Sequence, residues 1–175
     1  NDKYSIPSFE EMLQLVRKNE ETKQKKVGVI PETKHPSYFK SIGLAMEENM
    51  LQLLAKYGFD KEPNRVYIQS FEIHNLKELR KKSKYVLIQL IGDSNEKPFD
   101  DSLTYTEMMT LDGLKKISSY ADGIGPSKKW LVKKDADGSP IASDEFKNAL
   151  LVKLKLLPYT FRNESYFLLP VFKSP

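Results

Sequence analysis

Glu32 and Lys34 close the apolar run Val27-Gly-Val-Ile-Pro-Glu-Thr-Lys34 with one residue between them. Residues i and i+2 of a strand project from the same face, so this spacing predicts a carboxylate and an ammonium group side by side at the strand's C-terminal end. A carboxylate is a ligand for a hard divalent cation, and an ammonium group is a partner for an anionic oxygen. Together they suit metal-assisted phosphate chemistry; the same two charges also suit a plain ion pair. Proton transfer near neutral pH is usually the work of histidine, and the chain holds His35 and His74. In a strand His35 points away from Glu32 and Lys34, and His74 lies at the start of a helix just past Phe71; neither has a carboxylate at a telling spacing. The chain contains no cysteine, which excludes disulfides, thiolate metal sites and cysteine nucleophiles.

The elements that must position these groups follow from periodicity and punctuation. Ser8 and Glu11 form a capping box, and Phe9, Met12, Leu13 and Val16 recur at helical spacing, which predicts a helix from 8 to about 20. The strand 27–34 comes next, then a loop marked by Pro36 and Gly43. A second amphipathic helix is expected over about 44–57, closed by Gly58. Val66–Phe71 reads as a strand, 75–83 as a helix, and the nearly continuous apolar run Tyr85–Ile91 as a strand buried on both faces. A polar loop spans Gly92 to about Thr104. Leu111–Tyr120 is expected as a helix, Ala121–Pro126 as a short strand, Asp135–Gly138 as a turn, a helix capped by Ser143 follows, and Leu154–Phe161 as a last strand.

Regular alternation of strand and helix indicates parallel strands with crossover helices. A doubly wound sheet and a barrel both satisfy it. No glycine-rich phosphate loop of either nucleotide-binding type is present. Polar or aromatic residues fall at the C-terminal ends of several strands: Glu32 and Lys34, Gln69 and Phe71, Tyr159 and Thr160. That distribution favours a (β/α)8 TIM-barrel type of fold, incomplete here, because barrel active sites are assembled from this rim.

The length of 175 residues is expected to form a single domain, 1–175. Apolar (39%) and charged (30%) fractions are those of an ordinary globular chain able to build a core. The net charge of +4 arises from basic and acidic residues that mostly alternate. The basic cluster Arg80-Lys81-Lys82 with Lys84 is expected at a helix end, without the aromatic platform of a nucleic-acid site. No apolar run is long enough to span a membrane. The compartment stays open between soluble secreted or periplasmic and cytoplasmic.

With these residues in view, the chain resembles the glycerophosphodiester phosphodiesterase family over nearly all its length. Ile6-Pro-Ser-Phe-Glu-Glu-Met-Leu13 resembles the family's Pro-Thr-Leu-Glu-Glu helix start, and Ile30-Pro-Glu-Thr-Lys-His-Pro36 its Pro-Glu-Ile-Lys strand. Val66-Tyr-Ile-Gln-Ser-Phe71 is similar to its Gln-Ser-Phe strand, and Tyr120–Pro126 and Leu157–Asn163 are similar to two more signatures. The resemblance implies a TIM barrel that binds Ca2+ or Mg2+ at the strand C-terminal rim and hydrolyses glycerophosphodiesters to an alcohol and glycerol 3-phosphate. It implies Glu32 as one carboxylate ligand of the metal and Lys34 near a phosphate oxygen, with Gln69, Phe71 and Tyr159 lining the pocket. The family's His-Arg first strand, its Glu-x-Asp second strand with a further His-Asp, and its closing Gly-Val-Asp-Gly and Thr-Asp signature have no counterpart here. The chain is thus expected to correspond to the third to seventh of eight strands. The catalytic histidines, and the missing strands, are expected in another part of a larger protein or in a second chain or copy. A non-catalytic relative that binds phosphate or glycerol, or serves in an assembly, is the alternative; a lyase-type phospholipase ranks below both.

Overall fold

A computed structural model describes residues 5–162 and 164–168. Helix α1 (Phe9–Lys23) starts at the expected capping box: the Ser8 hydroxyl accepts the Glu11 N–H at 3.2 Å, and the Glu11 carboxylate accepts the Ser8 N–H at 2.7 Å. The run expected as strand 27–34 is thinner than a full strand. It touches its neighbour through two parallel bridges, Val29 to Val66 and Glu32 to Gln69. Pro31 lies between them, and its nitrogen has no proton to donate to a ladder.

The loop expected after Pro36 is instead a short helix, α2 (Pro36–Ser41). Proline is well placed at a first helical position, where no N–H is needed, and the Ser37 N–H is taken up by the Glu72 carboxylate at 3.0 Å. Helix α3 (Glu47–Lys56) buries Met50 and Leu54, carries Glu47 and Glu48 in its first turn, and is followed by Gly58 at φ +74°.

The remaining elements alternate as expected: β1 (Tyr67–Ser70), α4 (Ile73–Lys82), β2 (Val86–Ile91), α5 (Tyr105–Met108), α6 (Leu111–Ser118), β3 (Gly123–Pro126), β4 (Val132–Lys134), β5 (Pro140–Ala142), α7 (Asp144–Leu151) and β6 (Lys155–Leu156). Three details differ from expectation. A one-turn helix, α5, follows the polar loop, and β4 and β5 form an antiparallel hairpin around the Asp135–Gly138 turn. The last strand is short, resuming only as a bridge between Ser127 and Tyr159. The stretch from 169 to Pro175, for which no clear element is expected, lies outside the described residues.

Strands β1, β2, β3 and β6 form one parallel sheet in that spatial order, with the segment 29–32 flanking β1. All six residues of β2 are buried, as a strand inside a covered parallel sheet requires. One face carries Ile68, Leu87, Ile91 and Ile124 into a core with Leu13, Leu54, Leu76, Leu79, Leu114 and Ile117 from the helices. Burying each such side chain contributes roughly 1.5–3 kcal/mol. On the opposite face, Ile88 is in register with Gly123 and Leu90 with Gly125. A Cβ on Gly123 would stand 2.5 Å from the Lys155 carbonyl oxygen, and one on Gly125 would stand 2.6 Å from Leu90 Cδ2. The two glycines therefore let β6 and the large β2 side chains close in on this inner face.

Among the described residues the sheet is an open arc with one edge at the segment 29–32, where Ile30 is 54% exposed. Parallel strands with crossover helices and an apolar inner face make it consistent with an incomplete barrel. Arg80, Lys81 and Lys82 end α4 as expected, with Lys84 just beyond it; Arg80 pairs with Asp122, Lys81 with Glu78 and Lys82 with Glu48.

Candidate active site at the C-terminal rim

The bridge that pairs Glu32 with Gln69 sets their side chains on the same inner face. Beyond it the chain turns sharply at His35, whose φ of +44° is left-handed. Thr33, between the two charged residues, points the other way into a buried polar network. Its hydroxyl donates to Asn75 Oδ1 at 2.7 Å, Asn75 donates to Glu47 at 2.7 Å, and the Ser70 hydroxyl donates to the Thr33 carbonyl at 3.2 Å. Buried polar groups satisfied in this way fix one conformation. They hold the backbone from which Glu32 and Lys34 project.

The Lys34 ammonium donates to Glu32 Oε1 at 2.9 Å. The structure thus places the two groups together, as an ion pair whose acid is largely covered and whose base is mostly exposed, 22% against 74%. They line a cleft of about 510 Å³ at the C-terminal ends of the segment 29–32 and β1. Phe71 lines the same cleft, with Glu72, Tyr105, Glu96 and Phe99 contributed by the residues after β1 and β2.

Two further expected residues take different positions. Gln69 is half-buried beside Glu32, outside the cleft lining, and its side chain makes no hydrogen bond among the described residues. The buried, fully engaged amide of the sheet is Gln89, which accepts from the Tyr120 hydroxyl at 2.9 Å and donates to the Phe71 carbonyl at 3.0 Å. Tyr159 stands farther along the rim, its ring 6.3 Å from that of Phe71 in an edge-to-face contact. Its hydroxyl donates to the Ile91 carbonyl at 2.8 Å.

Burial pushes the Tyr159 phenol up to about 12, and nearby Asp93, Glu96 and Glu32 push the same way. Burial likewise raises the Tyr105 phenol. Because the folded protein disfavours the Tyr159 phenolate, its contribution to stability is complete below the ordinary phenol value of 10.0 and is lost as pH rises towards about 12. Alkaline titration followed by phenolate absorbance should show this tyrosine ionising well after the exposed ones, and Tyr159→Phe should remove that late step.

Both histidines prove to have carboxylate neighbours, against the sequence reading. His74 Nδ1 lies 2.9 Å from Asp100, which also accepts the Ile73 and His74 N–H groups at the start of α4. His35 Nδ1 lies 3.9 Å from the buried Glu72. Asp100 is 26 positions from His74 and Glu72 is 37 from His35, so no short-range spacing could reveal either pair. One overlooked signal was legible: Thr104 and Glu107 form a capping box that starts α5 and thereby sets Tyr105 at the cleft.

The fold and rim define a parallel α/β arc that gathers carboxylates, an ammonium group and aromatic rings at the C-terminal ends of its strands, the face at which barrel enzymes carry their sites. Residues 1–170 match the glycerophosphoryl diester phosphodiesterase family, and the chain belongs to that family. It is 32% identical over 146 residues to a glycerophosphodiester phosphodiesterase of Treponema pallidum (strain Nichols), covering 75% of this chain and 41% of that protein. It is 27% identical to a glycerophosphodiester phosphodiesterase of Haemophilus influenzae (strain ATCC 51907 / DSM 11121 / KW20 / Rd), over 93% of this chain and 49% of the relative. It is 28% identical to glycerophosphodiester phosphodiesterase GDPD6 of Arabidopsis thaliana, over 96% of this chain and 47% of the relative. The chain spans about half the length of these curated relatives.

Proposed function

We propose that the chain is part of a metal-dependent hydrolase that cleaves glycerophosphodiesters to an alcohol and glycerol 3-phosphate. The observation that carries this reading is the Glu32–Lys34 pair, 2.9 Å apart in a rim cleft of a parallel α/β sheet. The relatives' names support the same chemistry.

Among the described residues, no cluster of three or more histidine, aspartate and glutamate side chains could hold a metal by itself. Glu32 fits one position of a hard cation's oxygen shell, Ca2+ or Mg2+, and the other ligands must come from outside the described residues. When bound, such a cation polarises a phosphoryl oxygen. Glu32 offers its carboxylate to that site, and Lys34, released from the ion pair, turns its ammonium towards an equatorial phosphate oxygen and offsets the charge developing there. Phe71 walls the site, and Tyr159 packs against its ring from farther along the rim, with its hydroxyl engaged by the Ile91 carbonyl. Gln69, next to Glu32, offers an unengaged amide to the same face. Proton transfer is assigned to histidines beyond this sequence, and the open edge at 29–32 is where the remaining strands of the barrel, in the same protein or in a second chain, would pair. No helix among the described residues is long and apolar enough to cross a membrane.

The test is release of glycerol 3-phosphate from glycerophosphocholine by the natural protein, with Ca2+ or Mg2+ and with chelator. Turnover that requires the cation is the expected result. Binding of the diester without turnover under any cation would instead point to a phosphate- or glycerol-binding relative, and cyclic phosphate products to a lyase.

A further inference from the structure

Glu72 is an acid with one oxygen engaged and one left over. Its side chain is 3% exposed. Oε2 accepts the Ser37 N–H at 3.0 Å, whereas Oε1 is buried without a hydrogen-bond partner among the described residues. The nearest candidate, His35 Nδ1, stands 3.9 Å away, beyond hydrogen-bond reach. A buried carboxylate oxygen without a donor is costly, and natural proteins rarely leave one. Glu72 and His35 both line the same cleft as Glu32 and Lys34, so displacement of the imidazole brings Oε1 within reach of whatever occupies that cleft.

The rest of the lining indicates the sign of the missing partner. Phe71 and Tyr105 meet edge to face at 6.3 Å, and His35 and Phe99 do so at 6.1 Å. Glu96 adds another carboxylate. Aromatic rings gathered beside carboxylates suit an organic cation. Two lysines also line the cleft, but Lys34 is engaged by Glu32 and, in the proposed reaction, by the phosphate, and Lys97 is solvent-exposed. The His35 ring is 71% exposed, so it can swing aside and let a ligand N–H take the position it approaches.

We infer that this end of the cleft is a subsite for an ammonium-bearing alcohol group, with Glu72 Oε1 accepting an ammonium N–H and the rings of Phe71, Tyr105 and Phe99 surrounding the cation. This rests on the phosphodiester reading and extends it: the preferred substrates carry a primary amine on the leaving alcohol, as glycerophosphoethanolamine does, over a neutral group such as glycerol.

Calorimetric binding of glycerophosphoethanolamine and glycerophosphoglycerol to the natural protein tests it, with Glu72→Gln and Phe99→Ala as variants. The glutamine keeps an acceptor for Ser37 and replaces the free acceptor by a donor. Phe99, 71% exposed, can be truncated without opening the core. The expected preference for the amine is about tenfold, the equivalent of ~1.4 kcal/mol. It should fall to near unity in Glu72→Gln, with glycerophosphoglycerol binding unchanged, and shrink by about twofold to threefold in Phe99→Ala, the scale of an exposed cation–π contact. Equal affinity for the two diesters would overturn the subsite and leave the phosphodiester reading intact, as would a preference that survives both substitutions. Failure of the natural protein to bind either diester would overturn both.

Discussion

Glu32→Gln should reduce cation-dependent turnover at least about 100-fold while leaving the fold intact. The magnitude follows from position: loss of groups that merely support a metal's ligands costs 10- to 100-fold, and a ligand itself costs no less. Glutamine preserves length and can still accept from Lys34, so the substitution removes charge and little else. The stability effect should be small, because the ion pair with Lys34 is mostly solvated on the lysine side, at 74% exposure, and such pairs contribute about 0–1 kcal/mol. Steady-state assays with titrated Ca2+ or Mg2+, paired with thermal melts, separate the two effects. Unchanged turnover with an unchanged cation requirement would reduce Glu32 to half of an ordinary ion pair and remove the basis of the proposed chemistry.

Phe59→Ala should be the most damaging single truncation of the fold, at about 3–5 kcal/mol. Phe59 is fully buried, and its ring lies 4.0 Å beneath the Arg17 guanidinium and 5.4 Å from that of Arg65. Those two arginines are shared by Glu20 and Glu62. Through them, the end of α1, the turn after α3 and the approach to the segment 29–32 are tied together: Arg17 donates to the Tyr57 carbonyl at 2.8 Å, and Arg65 to the Val27 carbonyl at 2.5 Å. Removing the ring opens a cavity and also withdraws the surface on which the guanidinium groups stack. Urea unfolding gives the size of the loss. Phe161→Ala is the matched control; at 69% exposure it should change stability by no more than about 0.5 kcal/mol.

The helices and buried strands were legible because their signals are local. Ser8 with Glu11 announces α1, and the unbroken apolar stretch Val86–Ile91 announces a strand covered on both sides, which is how β2 is found. Ser143 does the same for α7. The reading failed where a local signal was ambiguous. Pro36 marks a turn and a first helical position equally well, and the choice of α2 is settled by Glu72 reaching the Ser37 N–H from a different element. The thinness of segment 29–32 reflects Pro31, which interrupts the ladder whatever its neighbours prefer.

At the rim, Glu32 and Lys34 were legible as a pair because two residues of alternation is a short-range geometric rule, and the structure joins them by a hydrogen bond. Residue types and their order were therefore enough for the elements, the parallel alternation and the charged pair. Their surroundings depended on closure of the chain in space. Glu72 meets His35, Asp100 meets His74, and the loop before α5 carries Glu96 and Phe99 to the cleft, all through contacts between segments far apart in the chain. Periodicity reports which side of an element is buried, whereas only the packing of crossover helices against the sheet brings a given carboxylate within reach of a given ring.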